Sequence, residues 1–298
     1  QSQTPDDAFQ SADLIHATDH LVPLGLKKPL IATVMDVIPL SHPEFIRSKF
    51  APLKAKLWKY LSNRADKIIT ISEFSKQEIA VHMDYPAERI TVIPLGVDEI
   101  YFDTLLAHEI ENVKNKYGIN KSFFLFIGSL QPRKNLARIL EAHQHLPANL
   151  AKEFPLVVVG RQFWDDGTIM ASLNKAISEQ RCVWLKYISD HDKRCLLQAS
   201  QGLVFTSLYE GFGLPILEAF ASKTPVITSN MSSMPDVAGG CALLSDPQDP
   251  ESIRDHLLAL INHSPVIENL KQKGVERAKQ FTWSQVSEST KKVYDSLL

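Results

Sequence analysis

Residues 203–222, Leu-Val-Phe-Thr-Ser-Leu-Tyr-Glu-Gly-Phe-Gly-Leu-Pro-Ile-Leu-Glu-Ala-Phe-Ala-Ser, constrain this chain more than any other stretch. Residues 203–205 are apolar and include β-branched and aromatic side chains, as a strand buried on both faces requires. Gly211 and Gly213 bracket Phe212 and permit positive φ or close approach of the backbone to another group. Pro215 stands where a helix begins, because the N–H it lacks would be unpaired there. Strand, glycine turn and helix in that order put the N–H groups of a helix start at the carboxyl end of a strand. Open α/β sheets bind ligands there, and the helix dipole favours an anion such as phosphate.

Glu210 precedes the glycines and Glu218 lies one turn inside the helix, with seven residues between them. Beside a phosphate a carboxylate repels, so both must face other parts of a ligand, and paired sugar hydroxyls are suitable donors to an ionised carboxylate. The plainer alternative makes Glu210 a charge favoured by the helix dipole and Glu218 a solvated helix residue.

The pattern Glu-Gly-Phe-Gly-Leu-Pro-x3-Glu resembles the Glu-x7-Glu signature of retaining, nucleotide-sugar-dependent glycosyltransferases of the GT-B fold, the large "group 1" or family 4 class that includes bacterial mannosyl- and glucosyltransferases. The resemblance continues through residues 225–230 and 232–240 and covers the chain from about residue 14 onward. It implies an α/β protein with two Rossmann-like domains facing a cleft. It also implies that Glu210 contacts the donor sugar, that the backbone of Gly211, Phe212, Gly213 and Leu214 holds sugar and phosphate, and that Glu218 binds the ribose hydroxyls.

Composition narrows the class further. Lys plus Arg number 32 against 34 acidic residues, a net charge of −2, so no overall field draws the chain to nucleic acid or an anionic membrane. No apolar run approaches the roughly 20 residues of a membrane span. Cys182, Cys195 and Cys241 are irregularly spaced, which fits reduced thiols better than a disulfide framework or a zinc site. The expected location is cytoplasmic, including the inner face of the cell membrane. The chain begins with Gln1, and the resemblance sets residues 14–18 well inside an N-terminal domain. A truncated domain, short of roughly one hundred residues, is therefore expected.

From 14 to 100 the pattern reads strand, strand, helix, strand, helix, strand, clearest as strands over 29–36, 67–72 and 89–94. A helix is expected over about 44–64, carrying Phe45, Arg47, Lys49, Lys54, Lys56, Trp58, Lys59 and Tyr60. A basic surface with interleaved aromatics suits peripheral membrane contact; a solvated amphipathic helix is the plainer alternative. The segment Asp36-Val37-Ile38-Pro39-Leu40 resembles the family's His-Asp-x-x-Pro-Leu segment near the reacting sugar, which makes Asp36 an acceptor-side candidate. The family's His is Met35 here, and a thioether neither donates to a hydroxyl nor exchanges a proton. His16, His20 and His42 lie nearby and are expected to be structural. Ser72 caps a helix with Ser75 in its first turn.

The acceptor-side domain is expected over 1–106, with 107–117 as a charged helical link. The donor-binding domain is expected over 107–281, and the resemblance returns the helix 282–298 to the first domain. Residues 123–128 read as a strand, followed by Ser129-Leu130-Gln131-Pro132-Arg133-Lys134-Asn135. Arg133 offers a planar fork and Lys134 a point charge, which suit a diphosphate, and the resemblance gives them that role. Ser129 stands where relatives often carry a second Arg, so one phosphate contact is expected to be weaker or replaced. Ile188 belongs to the loop through which relatives hold the nucleotide base. Asp190-His191-Asp192 has the Asp-x-Asp spacing of metal-dependent glycosyltransferases, but with Ser189 the aspartates stand where a helix needs its caps.

The reading is a metal-independent hexosyltransferase with Glu210, Arg133 and Lys134 as its catalytic group and with no cofactor. Its donor would be a nucleotide sugar such as GDP-mannose or UDP-hexose. Its acceptor would be a saccharide or lipid-linked saccharide in bacterial cell-surface polysaccharide biosynthesis, with no nucleic-acid partner. Two alternatives stay open: a catalytically idle sugar-nucleotide-binding subunit, and a sugar-phosphate synthase or phosphorylase. No Gly-x-Gly-x-x-Gly follows a strand, which disfavours a dinucleotide oxidoreductase.

Overall fold

The computed structural model describes residues 9, 11–18, 22–23, 27–47, 50–164 and 167–298. Two compact units emerge. One comprises the residues described up to Gly96 together with Thr282–Leu298, and the other is Val97–Phe281. Residues 97–106 thus belong to the second unit, earlier than the boundary expected at 106. The cause is local: Leu105 N–H donates to Gln198 Oε1 at 3.1 Å and Gln198 Nε2 donates to Asp103 O at 2.7 Å. Tyr101, in the 3-10 turn Glu99–Phe102, is buried in the same unit. The helix Ala107–Lys116 likewise packs within the second unit, against the helix Asp190–Ala199, and is not a free link.

The first unit is a parallel sheet of β1 (Ile15–Ala17), β2 (Leu30–Thr33), β3 (Lys67–Thr70) and β4 (Ile90–Val92), adjacent in chain order. Successive side chains leave opposite faces of a strand, so Leu30 and Ala32 join a core with Trp58, Leu61, Ile79 and Met83, while Ile31 points to the other face. There Ile31, Ile69 and Ile93 are covered by Val293 of the C-terminal helix Trp283–Asp295. The helix expected over 44–64 is shorter: residues Pro43–Phe45 form a 3-10 turn and the α-helix spans Ala51–Ser62, with proline in its first turn. Phe45 and Arg47 precede it. Trp58 faces the core, 6% exposed, and so leaves the expected aromatic surface. His20 and Lys49 lie outside the described residues.

The second unit is a six-stranded parallel sheet in the order β10-β9-β8-β5-β6-β7. The strands are β5 (Phe124–Ile127), β6 (Leu156–Val159), β7 (Cys182–Leu185), β8 (Gly202–Phe205), β9 (Val226–Ser229) and β10 (Leu243–Ser245). From β5 the chain winds outward through β6 and β7, then returns to the other side of β5 for β8, β9 and β10. The neighbouring pair β5 and β8 is therefore the point where strand order reverses, and ligands of doubly wound sheets bind outside the carboxyl ends of such a pair. β5, β6 and β8 are apolar and almost wholly buried, as strands covered on both faces must be. Among the described residues no helix is long and apolar enough to cross a membrane.

Candidate active site

The loop after β5 forms a 3-10 turn, Pro132–Lys134, and ends on Asn135 with φ +63°, a left-handed conformation in which asparagine is among the better-tolerated residues. Asn135 is buried, and its Nδ2 donates to Thr206 O at 2.9 Å and Pro247 O at 2.7 Å. Leu208 N–H donates to Arg133 O at 2.8 Å. The loops after β5 and β8 are thereby tied into one surface.

That surface carries a buried ion cluster. Arg133 Nη1 donates to Glu210 Oε2 at 2.8 Å and to Tyr209 O at 3.1 Å, and Lys134 Nζ donates to Glu210 Oε1 at 2.5 Å. The lysine ammonium lies 5.0 Å over the Phe205 ring. Glu210 is only 7% exposed. Burial works to raise its carboxyl, but the charges of Lys134 and Arg133 outweigh it and hold the group below the usual glutamate range. The sequence assigned these residues to different parts of a ligand; the structure joins them as one charge-paired group.

The helix Leu214–Ala221 starts from Gly213 at φ +111°, a conformation that strains any residue with a Cβ. Ile216 N–H donates to Gly213 O at 2.9 Å and Pro215 has none, so the donors of this first turn narrow to Leu214 and the residues before it. Two serines that the motif quoted without a role shape the turn. Ser233 Oγ lies 2.9 Å from Glu210 O and 2.8 Å from Phe212 O, and Ser232 Oγ accepts from Glu210 N–H at 3.2 Å. The Phe212 ring is buried edge-on against Phe281, at 6.0 Å.

Glu218, 8% exposed, accepts from Lys193 Nζ at 3.0 Å and from the Tyr101 hydroxyl. Lys193 also lies 5.1 Å over the Tyr101 ring. Burial, reinforced by the charge of Glu218, pushes the Tyr101 phenol well above its ordinary range. Neither partner was singled out by the sequence. Tyr101 sits in a turn remote in the chain, and Lys193 lies in a helix start read only for its caps. Ile188 is buried ahead of that helix, and Ser129 Oγ accepts from Gln131 Nε2 at 2.7 Å.

At Asp190-His191-Asp192 the helix start is capped by Ser189, with both aspartates in its first turn. Asp192 N–H donates to Ser189 Oγ at 3.1 Å, and Asp192, 4% exposed, accepts from Lys116 Nζ and Tyr117 OH, both at 2.6 Å. Burial opposes its ionisation, yet the bonds from Lys116 and Tyr117 hold its carboxyl low. Asp190 is exposed, and no group of three His, Cys, Asp or Glu is arranged to hold a metal among the described residues.

In the first unit Met35 is 51% exposed after β2, and Asp36 Oδ1 accepts from Ile38 N–H at 3.1 Å. His16 is structural: Nδ1 lies 2.8 Å from Tyr294 OH and Nε2 2.7 Å from Thr33 Oγ1, and burial lowers its pKa. His42 pairs with Glu44 at 2.9 Å.

The fold and this site define a glycosyltransferase of the GT-B class. The Glycosyl transferases group 1 family matches residues 109–280, and Glycosyltransferase Family 4 matches residues 7–100. The chain belongs to this family. It is 32% identical over 286 residues to the O-antigen chain mannosyltransferase B of Escherichia coli, covering 95% of this chain and 74% of that one. It is 28% identical over 224 residues to the serotype-specific mannosyltransferase WbdA of Escherichia coli, spanning 74% of this chain but only 28% of that protein. Among solved structures, Anabaena HepE in complex with UDP and glucose superposes with a TM-score of 0.81 at 19% identity, covering 97% of this chain and 80% of that one.

Proposed function

We propose that the chain transfers a hexose of the mannose or glucose type from a nucleoside diphosphate sugar, such as GDP-mannose or UDP-hexose, to a saccharide or lipid-linked saccharide in bacterial cell-surface polysaccharide synthesis. The observation that carries this reading is the Arg133–Lys134–Glu210 cluster where strand order reverses, beside a glycine-started helix. The mannosyltransferase names of the relatives support the sugar class.

In this reading the C1–O bond to the diphosphate breaks with its electron pair leaving on the phosphate oxygen. The acceptor oxygen bonds to C1 on the same face, and its proton passes to that phosphate oxygen, so configuration is retained. Arg133 and Lys134 stabilise the departing charge, Glu210 orients the sugar hydroxyls, and Glu218 holds the ribose. The charge balance is tighter than two free cations would give. Ionised Glu210 cancels one of them, leaving about one positive charge plus the roughly half charge of the helix N-terminus. A diphosphate must therefore share Arg133 and Lys134 with Glu210. Turnover needs no metal in this proposal, because Asp192 is engaged by Lys116 and Tyr117.

A thermal-shift panel of nucleotide sugars tests the donor, since a ligand at a hundred times its Kd adds about 2.7 kcal/mol. The anomeric configuration of the product, read by NMR, tests retention. Inversion, or stabilisation by no nucleotide sugar, would sink the reading. Activity lost in EDTA, restored by magnesium and abolished by Asp190→Asn would overturn the metal-free step.

A further inference from the structure

Residues 46–64 hold Arg47, Lys49, Lys54, Lys56, Lys59 and Arg64 and no acidic residue, within a chain whose net charge is −2. The helix Ala51–Ser62 turns Ala51, Ala55, Trp58 and Ser62 to the core at the three- and four-residue spacing of one helix face. A second row at the same spacing faces away from that core: Leu53 is 69% exposed, Leu57 55% and Tyr60 59%, and Phe50 just ahead of the helix extends it at 68%. By helical geometry, Lys54 and Lys56 flank this apolar row on either side. Among the described residues no ion pair engages Lys54, Lys56 or Lys59, so the positive charge is not spent within the fold.

A row of large apolar side chains bordered by lysines is the pattern of a helix that lies in a membrane interface, with its apolar side in the headgroup–acyl boundary and its cations against lipid phosphates. A second copy of this chain is a poor occupant, because the same positive face would meet itself. We propose that the outer face of the helix Ala51–Ser62 docks the chain on a bilayer containing anionic phospholipid, with Leu53, Leu57 and Tyr60 entering the boundary and Lys54 and Lys56 meeting headgroups. This goes beyond the proposed chemistry and stands without it, since neither donor nor acceptor takes part in the docking.

The test is co-sedimentation of the whole chain with phosphatidylcholine vesicles, with and without phosphatidylglycerol, at low and high salt. Binding is expected only with phosphatidylglycerol and is expected to fall as salt rises. Lys54→Glu with Lys56→Glu should weaken it by on the order of tenfold per residue, and Leu53→Ser with Leu57→Ser by a similar factor. Lys54→Arg with Lys56→Arg should preserve it. All variants should unfold at the temperature of the parent; if one does not, the salt titration of the unaltered chain decides. Binding that ignores lipid charge, absence of binding, or full binding by the charge-reversed variant overturns the proposal. So does a dimer that Leu53→Ser with Leu57→Ser dissolves, which would assign the face to a second copy.

Discussion

Because Arg133 and Lys134 both reach Glu210, altering any one of the three changes the charge that the other two feel. Lys134→Ala should weaken nucleoside diphosphate binding by about 1.5–3 kcal/mol, the range for hydrogen bonds to charged groups; calorimetry showing equal affinity would remove Lys134 from the site. Glu210→Gln should act in the opposite sense on that ligand. It frees both cations from a competitor, so nucleoside diphosphate should bind at least as tightly while transfer from the intact sugar nucleotide falls. Lys193 invites a separate measurement. It holds Glu218 at 3.0 Å, so Lys193→Met should cost a ribonucleotide about 1–2 kcal/mol while sparing an analogue without ribose hydroxyls. An equal loss on both would mean that Lys193 meets another part of the ligand. Glu210, Glu218, Arg133 and Lys134 were named as candidates from residue type, spacing and the family resemblance. Tyr101 and Lys193 were not, since only packing brings a tyrosine from a distant turn against a helix carboxylate.

Between elements, the site depends on how the loop after β5 is pinned to the loop after β8. Asn135 supplies one link, to Thr206 O, and its second bond, to Pro247 O, reaches the loop after β10, both from a left-handed backbone. Asn135→Gly keeps that backbone accessible and removes these links together with the bond that Arg138 Nη1 donates to Asn135 Oδ1, leaving buried carbonyls short of a donor. Unfolding should show a loss of about 1–3 kcal/mol, accompanied by weaker diphosphate binding; an unchanged midpoint in denaturant would show that water replaces the amide. Most strands of the sheets were legible as apolar runs, but β9 entered only within the motif that carries the family resemblance, and β10 was not read at all. Leu243–Ser245 spans three residues with only Ser245 buried, so periodicity has almost nothing to register. The helix over 44–64 was read too long because its amphipathic pattern begins before the chain can be helical. The prolines at 43 and 52 set the break.

At the scale of the molecule, acid should act on the second unit before it reaches the carboxylates. His143 is fully buried, Nε2 donating to Phe154 O at 2.8 Å, and burial lowers its pKa from 6.5 to about 4. Its unfolded form takes up a proton below 6.5 while the folded form does not. Stability is therefore complete above that pH and is lost as pH falls toward 4, by roughly 3 kcal/mol at most. His143→Gln should flatten the unfolding temperature between those limits; an unchanged slope would place the sensitive group elsewhere. Glu210 acts lower: its depressed carboxyl adds stability above the ordinary glutamate range, and that contribution goes as pH falls through its folded pKa.

The assignment of Thr282–Leu298 to the first unit has a consequence for the order of synthesis. The second unit is one uninterrupted segment and can complete its sheet as soon as it has been translated. The first cannot. Ile31, Ile69 and Ile93 wait for Val293 until the whole of the second unit has been made. A nascent chain paused after residue 281 would thus carry a finished second unit and a first unit with one face of its sheet still open, the state in which a chaperone would find it.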